Sequence, residues 1–251
     1  MSAALIFGLL IGVLLGALGG GGSILAVPAL VYAVGMPPAA AVPASLAVVG
    51  ISSVTSALPR IRQVQWRLTA VFGGAGALAA FGGAAVNRLL SPAAVLVGFG
   101  GVMIIAALQM LRERRQLGGA CALPGGGVDW RGCLPKAVAA GLVVGFLTGL
   151  FGVGGGFLIV PALVVLLGMN LNAAVATSLV IIAVNSAAGF AAHAGEAAID
   201  FRIVGVFTAA AVIGSALGGR LARHLPADRL RRWFAYLVLA VAVFMIGATL
   251  R

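Results

Sequence analysis

Slid along itself by 133 positions, the sequence lays GVLLGALGGGGSILAVPALVYAVGMPPAAAVPASL, from Gly12, without a gap on GFLTGLFGVGGGFLIVPALVVLLGMNLNAAVATSL, from Gly145. About 20 of roughly 46 aligned positions are identical, more than shared apolarity supplies, and internal repetition of this kind governs every later assignment. Further along, VQWR (64–67) falls on IDFR (199–202) and Pro92 falls on Pro226. The chain therefore reads as two homologous halves, 1–111 and 137–251, joined by an Arg- and Gly-rich connector at 112–136.

What the halves are made of follows from hydropathy. The 251 residues are 62% hydrophobic and 8% charged, with a mean hydropathy of +1.19, values that a soluble core of this size does not need. A bilayer-spanning helix takes roughly 20 apolar residues, and eight apolar blocks are separated along the chain, at about 4–34, 38–58, 68–87 and 92–111, then 137–168, 172–193, 203–222 and 230–250. They are too long and too uniformly apolar for barrel strands. The first block lacks a basic leader and is expected to stay in the mature protein as membrane-embedded chain. The net charge of +11 sits in arginines between the blocks, where it orients the chain and meets anionic lipid rather than nucleic acid. Cys121 and Cys133 match no metal-site spacing and are expected to be incidental.

The opening block of each half, 4–34 and 137–168, carries a glycine cluster in its middle. As one helix, about 31 residues would be roughly 46 Å long, against a hydrocarbon core of about 30 Å. Folded at the glycines, each block becomes a hairpin that enters and leaves on one side. Charge supports the fold-back. With crossing blocks the basic residues divide about 10 to 6 between the two sides, and with hairpins about 13 to 3, the asymmetry expected of cytoplasmic loops. An odd number of crossings per half then inverts the halves relative to each other. The expected fold class is thus an all-α integral membrane protein of two inverted repeats, each a glycine-broken re-entrant helical hairpin plus three transmembrane helices. Inverted repeats with broken helices are a plan of secondary transporters. The expected location is the inner or plasma membrane, multi-pass, with both termini facing away from the cytoplasm.

Unpaired backbone is tolerated at membrane depth only beside protein or a water-filled cavity. The clusters Gly19, Gly20, Gly21, Gly22 and Ser23, and Gly152, Gly154, Gly155 and Gly156, are therefore expected to line such a cavity. A helix beginning just after each cluster, at about Ser23 and Gly156, would point its free N–H groups and positive dipole end at the tip, and two such ends make an anion site without a charged side chain. Close packing is the alternative reading of these glycines, and it is the preferred one for Gly8, Gly12 and Gly16 at helical spacing. Pro28 and Pro161 fall in the second arms and shape the hairpins.

At GALGGGGSILAVPAL and GLFGVGGGFLIVPAL the sequence resembles the TauE/SafE family, the sulfite and sulfonate exporters of bacterial and archaeal membranes. The resemblance spans essentially the whole chain. It implies outward transport of sulfite, a sulfonate such as taurine or sulfoacetate, or another small organic anion, and it does not select among them. Partners implied are that anion and the lipid bilayer, with self-association left open and no nucleic acid; no cofactor is implied.

Among other polar residues, Ser45, Ser52, Ser53 and Thr55 lie in the second block of the first half, and Thr177, Ser178, Asn185 and Ser186 in that of the second. Hydroxyls in spans often bond their own backbone. Ser53, Asn185 and Ser186 are nevertheless candidates for the cavity wall, Asn185 foremost because an amide is costly in lipid. His193 near Glu196 and Asp200 reads as a wet interfacial histidine, with a proton relay as the alternative; Arg220, Arg223 and His224 mark a wet boundary. No Asp, Glu, Lys or Arg falls at the centre of a block, against a carboxylate-based ion relay. An embedded enzyme would need a nucleophile and base, or metal ligands, within reach of each other, and the sequence offers neither. An anion channel, or a carrier of an unrelated small solute, remains open as an alternative.

Overall fold

The computed structural model describes residues 2–18, 21–111, 130–152, 156–163, 169, 171–193, 200–221 and 227–249. Ten α-helical elements are described: α1 (Ser2–Leu18), α2 (Ala26–Pro28), α3 (Pro38–Ala57), α4 (Trp66–Leu89), α5 (Pro92–Leu111), α6 (Trp130–Phe151), α7 (Gly156–Pro161), α8 (Leu171–Ala192), α9 (Phe201–Leu221) and α10 (Ala227–Thr249). No strand occurs among the described residues. Five helical stretches, Pro38–Gln63, Trp66–Leu89, Cys133–Phe151, Asn172–Ala192 and Arg202–Arg220, are long and apolar enough to cross a membrane, and shorter apolar helices accompany them.

The core is mostly apolar, but the exterior is unlike that of a soluble protein. Leu78, Leu89, Trp233 and Phe244 are exposed, while Ser23, Ser53, Thr148, Asn185 and Ser186 are fully buried. Large apolar side chains on the outside, with small polar ones confined to the interior, suit hydrocarbon as the surrounding solvent.

Glycine sets the helix packing. A Cβ on Gly12 or Gly16 would collide with the main chain of Ala211 or Ser215, and one on Gly8 would meet Phe207. Each step of four residues along α1 is matched by four along α9, so these helices are parallel and nearly touch at the backbone. A second pair, also joining the two halves, repeats the arrangement: Gly141, Gly145 and Gly149 of α6 abut Phe72, Gly76 and Ala80 of α4 in the same order. These are small-residue contacts of the kind membrane helices use in place of a hydrophobic drive. Between the two pairs, α3 packs on α8. Gly50 faces Ser186 and Leu46 faces Gly189, so the order is reversed and α3 and α8 run antiparallel. Helix α5 packs on α10.

After α1 the chain does not continue as an α-helix. Residues Gly21–Leu25 form a 3-10 turn, followed by α2 and a π-helical stretch over Ala29–Ala33. Pro28 cannot donate the next α-helical bond, and the helix widens just beyond it. A Cβ on Gly22 would lie 2.5 Å from the Ile11 carbonyl oxygen and 2.6 Å from the Leu15 nitrogen. In a continuous helix residue 22 would stand about 10 Å beyond residue 15; the chain has instead doubled back along α1. The difference from the expected α-helix starting near Ser23 is in kind rather than direction, since paired glycines favour a tight turn over helix nucleation.

Candidate functional site

Seven of the ten serine, threonine and asparagine side chains of α3 and α8 are buried, and the polar side chains of these helices divide into two groups. Ser45 Oγ donates to the Val42 carbonyl at 2.7 Å and also contacts the carbonyl oxygen of Gly152. Ser178 Oγ donates to the Val175 carbonyl at 2.9 Å, Thr177 Oγ1 accepts the Gln65 N–H at 3.1 Å, and Thr55 and Ser56 bond back to their own helix. Those hydroxyls are satisfied within the fold, as helix geometry allows. Ser52, Ser53, Asn185 and Ser186 are not: their side-chain polar atoms have no hydrogen-bond partner among the described residues. In the 133-residue register Ser52 falls on Asn185 and Ser53 on Ser186. The four are thus two repeat-equivalent pairs on the two helices that meet antiparallel.

Asn185 owes its place to a notch. A Cβ on Gly76 would lie 2.6 Å from Asn185 Oδ1 and 2.7 Å from Nδ2, so only glycine in α4 lets the amide lie there. Gly145 of α6 rests against the main chain of the same Gly76. Ser186 sits over Gly50 of α3, whose missing side chain leaves it room. A buried, unpaired amide or hydroxyl costs on the order of 1–3 kcal/mol, and an unpaired buried group in a folded protein calls for an explanation.

At the second glycine cluster, Gly152 takes φ +70° and its N–H donates to Thr148 at 2.8 Å, a left-handed residue ending α6 as glycine does best. Its carbonyl is held by Ser45, and its Cα lies against Val42. The 3-10 turn Gly21–Leu25 packs on α7 (Gly156–Pro161); the segments that follow the two clusters therefore meet, one from each half. Gly22, Ser23 and Gly156 are buried. Gly19, Gly20, Gly154 and Gly155 lie outside the described residues, and of Gly21 only the backbone is described. Ser53 is about 12 Å along α3 from Ser45, so the structure separates the Gly152 tip from the unpartnered polar group. Pro161 closes α7 as Pro28 closes α2.

Three features escaped the sequence reading. The tie from Ser45 to Gly152 was detectable in principle, because Ser45/Ser178 and Gly19/Gly152 are both identical pairs in the repeat. Ser52 could have been drawn in by its alignment with Asn185. Gly76 had no signal, since nothing distinguishes it from its neighbours in a glycine-rich helix. His193 is buried, its Nδ1 2.9 Å from the Gly189 carbonyl and its Nε2 without a partner among the described residues, which corrects the wet interfacial placement. Glu196, Arg223 and His224 lie outside the described residues. Cys133 is disulfide-bonded, against the expectation that the cysteines are incidental; Cys121 lies outside the described residues. No group of metal-ligating side chains is assembled among the described residues.

Helices with apolar exteriors, glycine-mediated contacts and a small polar interior define a polytopic α-helical membrane protein. The chain belongs to the sulfite exporter TauE/SafE family, whose model matches residues 4–245. It is 34% identical over 242 residues to a probable membrane transporter protein of Xylella fastidiosa, covering 94% of this chain and 91% of that one. It is 27% identical to the probable membrane transporter protein YunE of Bacillus subtilis, covering 98% of this chain and 95% of that one. No solved structure matches the chain. The protein is a membrane transporter of this family, which points away from catalysis.

Proposed function

We propose that the protein moves a small anion of the sulfite or organosulfonate kind across the membrane, with Asn185, Ser186, Ser52 and Ser53 supplying its binding groups inside the helix bundle. One observation carries this reading: four fully buried side chains, paired by the sequence repeat, present polar atoms with no partner among the described residues. Three hydroxyls and an amide NH2 offer up to five donors, enough to replace part of an anion's hydration. No Asp, Glu, Lys or Arg is buried among the described residues, so no carboxylate there repels the ligand. The meeting of the Gly21–Leu25 turn with α7 supports the idea that the glycine breaks, including Gly19, Gly20, Gly154 and Gly155, form the moving part of the transporter, about two turns along α3 from that site. The antiparallel run of α3 and α8, equivalent helices of the repeat, supports inverted halves and hence alternating access. In this reading Pro28 and Pro161 shape the returning arms.

The test is uptake into proteoliposomes holding purified protein, comparing sulfite, thiosulfate, taurine, sulfoacetate and chloride. Saturable uptake of one sulfur anion, lost in Asn185→Leu, is the expected result. Unsaturable chloride flux would replace the carrier by a channel, and no anion movement at all would remove the anion site.

A further inference from the structure

Two buried polar groups stand outside the proposed transport site, the Nε2 of His193 and the Oγ1 of Thr208. Thr208 is the exception among the six threonines of the chain. Thr55, Thr69, Thr148 and Thr249 donate to carbonyls of their own helices, and Thr177 accepts the Gln65 N–H. The hydroxyl of Thr208, on α9, is buried with no partner among the described residues. A threonine that forgoes the bond its own helix offers leaves a polar group whose burial is costly and calls for a partner that the fold does not supply.

The repeat places Thr208. In the register that lays VQWR (64–67) on IDFR (199–202), Phe72, Gly76 and Ala80 of α4 fall on Phe207, Ala211 and Ser215 of α9. In the 133-residue register Gly8, Gly12 and Gly16 of α1 fall on Gly141, Gly145 and Gly149 of α6. These are the residues that meet in the two glycine-packed pairs, so α9 against α1 reproduces α4 against α6 contact by contact. The Asn185 amide lies against Gly76, and one turn earlier a Cβ on Gly73 would lie 3.8 Å from Val184 Cγ1 and 4.0 Å from Ile181 Cγ1 of the same α8. The equivalents are Ser52 for Asn185, Ala211 for Gly76 and Thr208 for Gly73, and α9 packs on α3 as α4 packs on α8. Thr208 therefore falls beside Ser52.

The two arrangements differ in shape and agree in chemistry. Where α4 has glycine at 73 and 76, α8 supplies a long amide with two N–H donors. Where α9 has Thr208 and Ala211, α3 supplies the short Ser52, and two hydroxyls again make two donors.

We infer that Thr208 is a fifth ligand-binding group, acting with Ser52 as the counterpart of the Asn185 amide, a role that rests on the transport reading above for its anion. It brings the ligand into contact with α9, whose glycine-packed partner α1 leads into the first glycine break as α6 leads into the second.

The experiment is uptake of sulfite, thiosulfate and sulfoacetate into proteoliposomes holding full-length parent, Thr208→Val, Thr208→Ser or Asn185→Leu protein, over a range of anion concentration, with unfolding temperatures measured on the same preparations. Valine keeps the shape of threonine and removes the hydroxyl. The KM for the anion carried should rise about tenfold in Thr208→Val, the loss of one hydrogen bond to a charged ligand, and stay near the parent value in Thr208→Ser. The unfolding temperature of Thr208→Val should hold or rise, because no bond within the fold is lost. Thr69→Val, which removes a hydroxyl bonded to the Gln65 carbonyl, should instead lower it and leave KM unchanged. With uptake lost in Asn185→Leu, the role of Thr208 alone is overturned by an unchanged KM in Thr208→Val, by an equal rise in the valine and serine variants, or by a rise that tracks a fall in unfolding temperature. A parent that carries none of the three anions, or an Asn185→Leu protein that carries them as the parent does, overturns the transport reading and this role with it.

Discussion

Ser45 and Ser53 stand two turns apart on α3, both fully buried, yet they do different work. Ser45 bonds the Val42 carbonyl and holds the Gly152 tip, whereas Ser53 meets no partner among the described residues. The same contrast separates Ser178 from Asn185 and Ser186 on α8. A serine in a membrane span is therefore uninformative by type, because its own helix can satisfy it. The proposed binding groups rest on the residual: buried polar atoms without a partner among the described residues.

This contrast can be broken in several ways. The most disruptive is Gly76→Val, which places a branched side chain where the Asn185 amide lies and where Gly145 approaches. Overpacking of this kind costs about 1–3 kcal/mol or more, so thermal unfolding in detergent should shift down markedly and uptake should vanish. Next comes Asn185→Leu, of similar size and free of unpaired atoms. Uptake should fall about tenfold or more, the loss of a hydrogen bond to a charged ligand, while the melting temperature holds or rises.

Ser45→Ala should give the reverse pattern at a smaller scale. Stability drops by about 1 kcal/mol through the lost bonds, and uptake changes only as far as the Gly152 tip loosens; an unfolding curve and an uptake rate on one preparation separate the two. Ser186→Ala and Ser53→Ala should each reduce uptake a few-fold at unchanged stability. Thr55→Ala, which removes a hydroxyl bonded within its own turn, should stay within about 0.5 kcal/mol of the parent with uptake intact.

How much of this was legible beforehand follows the same division. Apolar length predicted the helices, and glycine spacing predicted that Gly8, Gly12 and Gly16 would pack, as they do against α9. Asn185 stood out by chemistry, because an amide in hydrocarbon demands a partner or a ligand. The notch at Gly76 was not legible: it depends on which face α4 turns to α8, and a helix with glycines on several faces leaves that undetermined. Nor could the partners of individual serines be read, since the side-chain rotamer that makes or withholds the backbone bond is chosen by the neighbouring helix. The 3-10 and π-helical character of the arm after the first break was hidden for a similar reason. Glycine and proline announce that an α-helix will fail, but the form that replaces it is set by packing against α1 and α3.

In the proposed mechanism the polar pairs of α3 and α8, without partners among the described residues, bind the transported anion. The most direct test is sulfite uptake by parent and Asn185→Leu protein, reconstituted at equal density after their unfolding temperatures have been compared. The expected result is a saturable parent rate that falls at least tenfold in the variant, with no loss of thermal stability. Equal uptake by both proteins, or a fall in uptake that merely tracks a fall in stability, would contradict it.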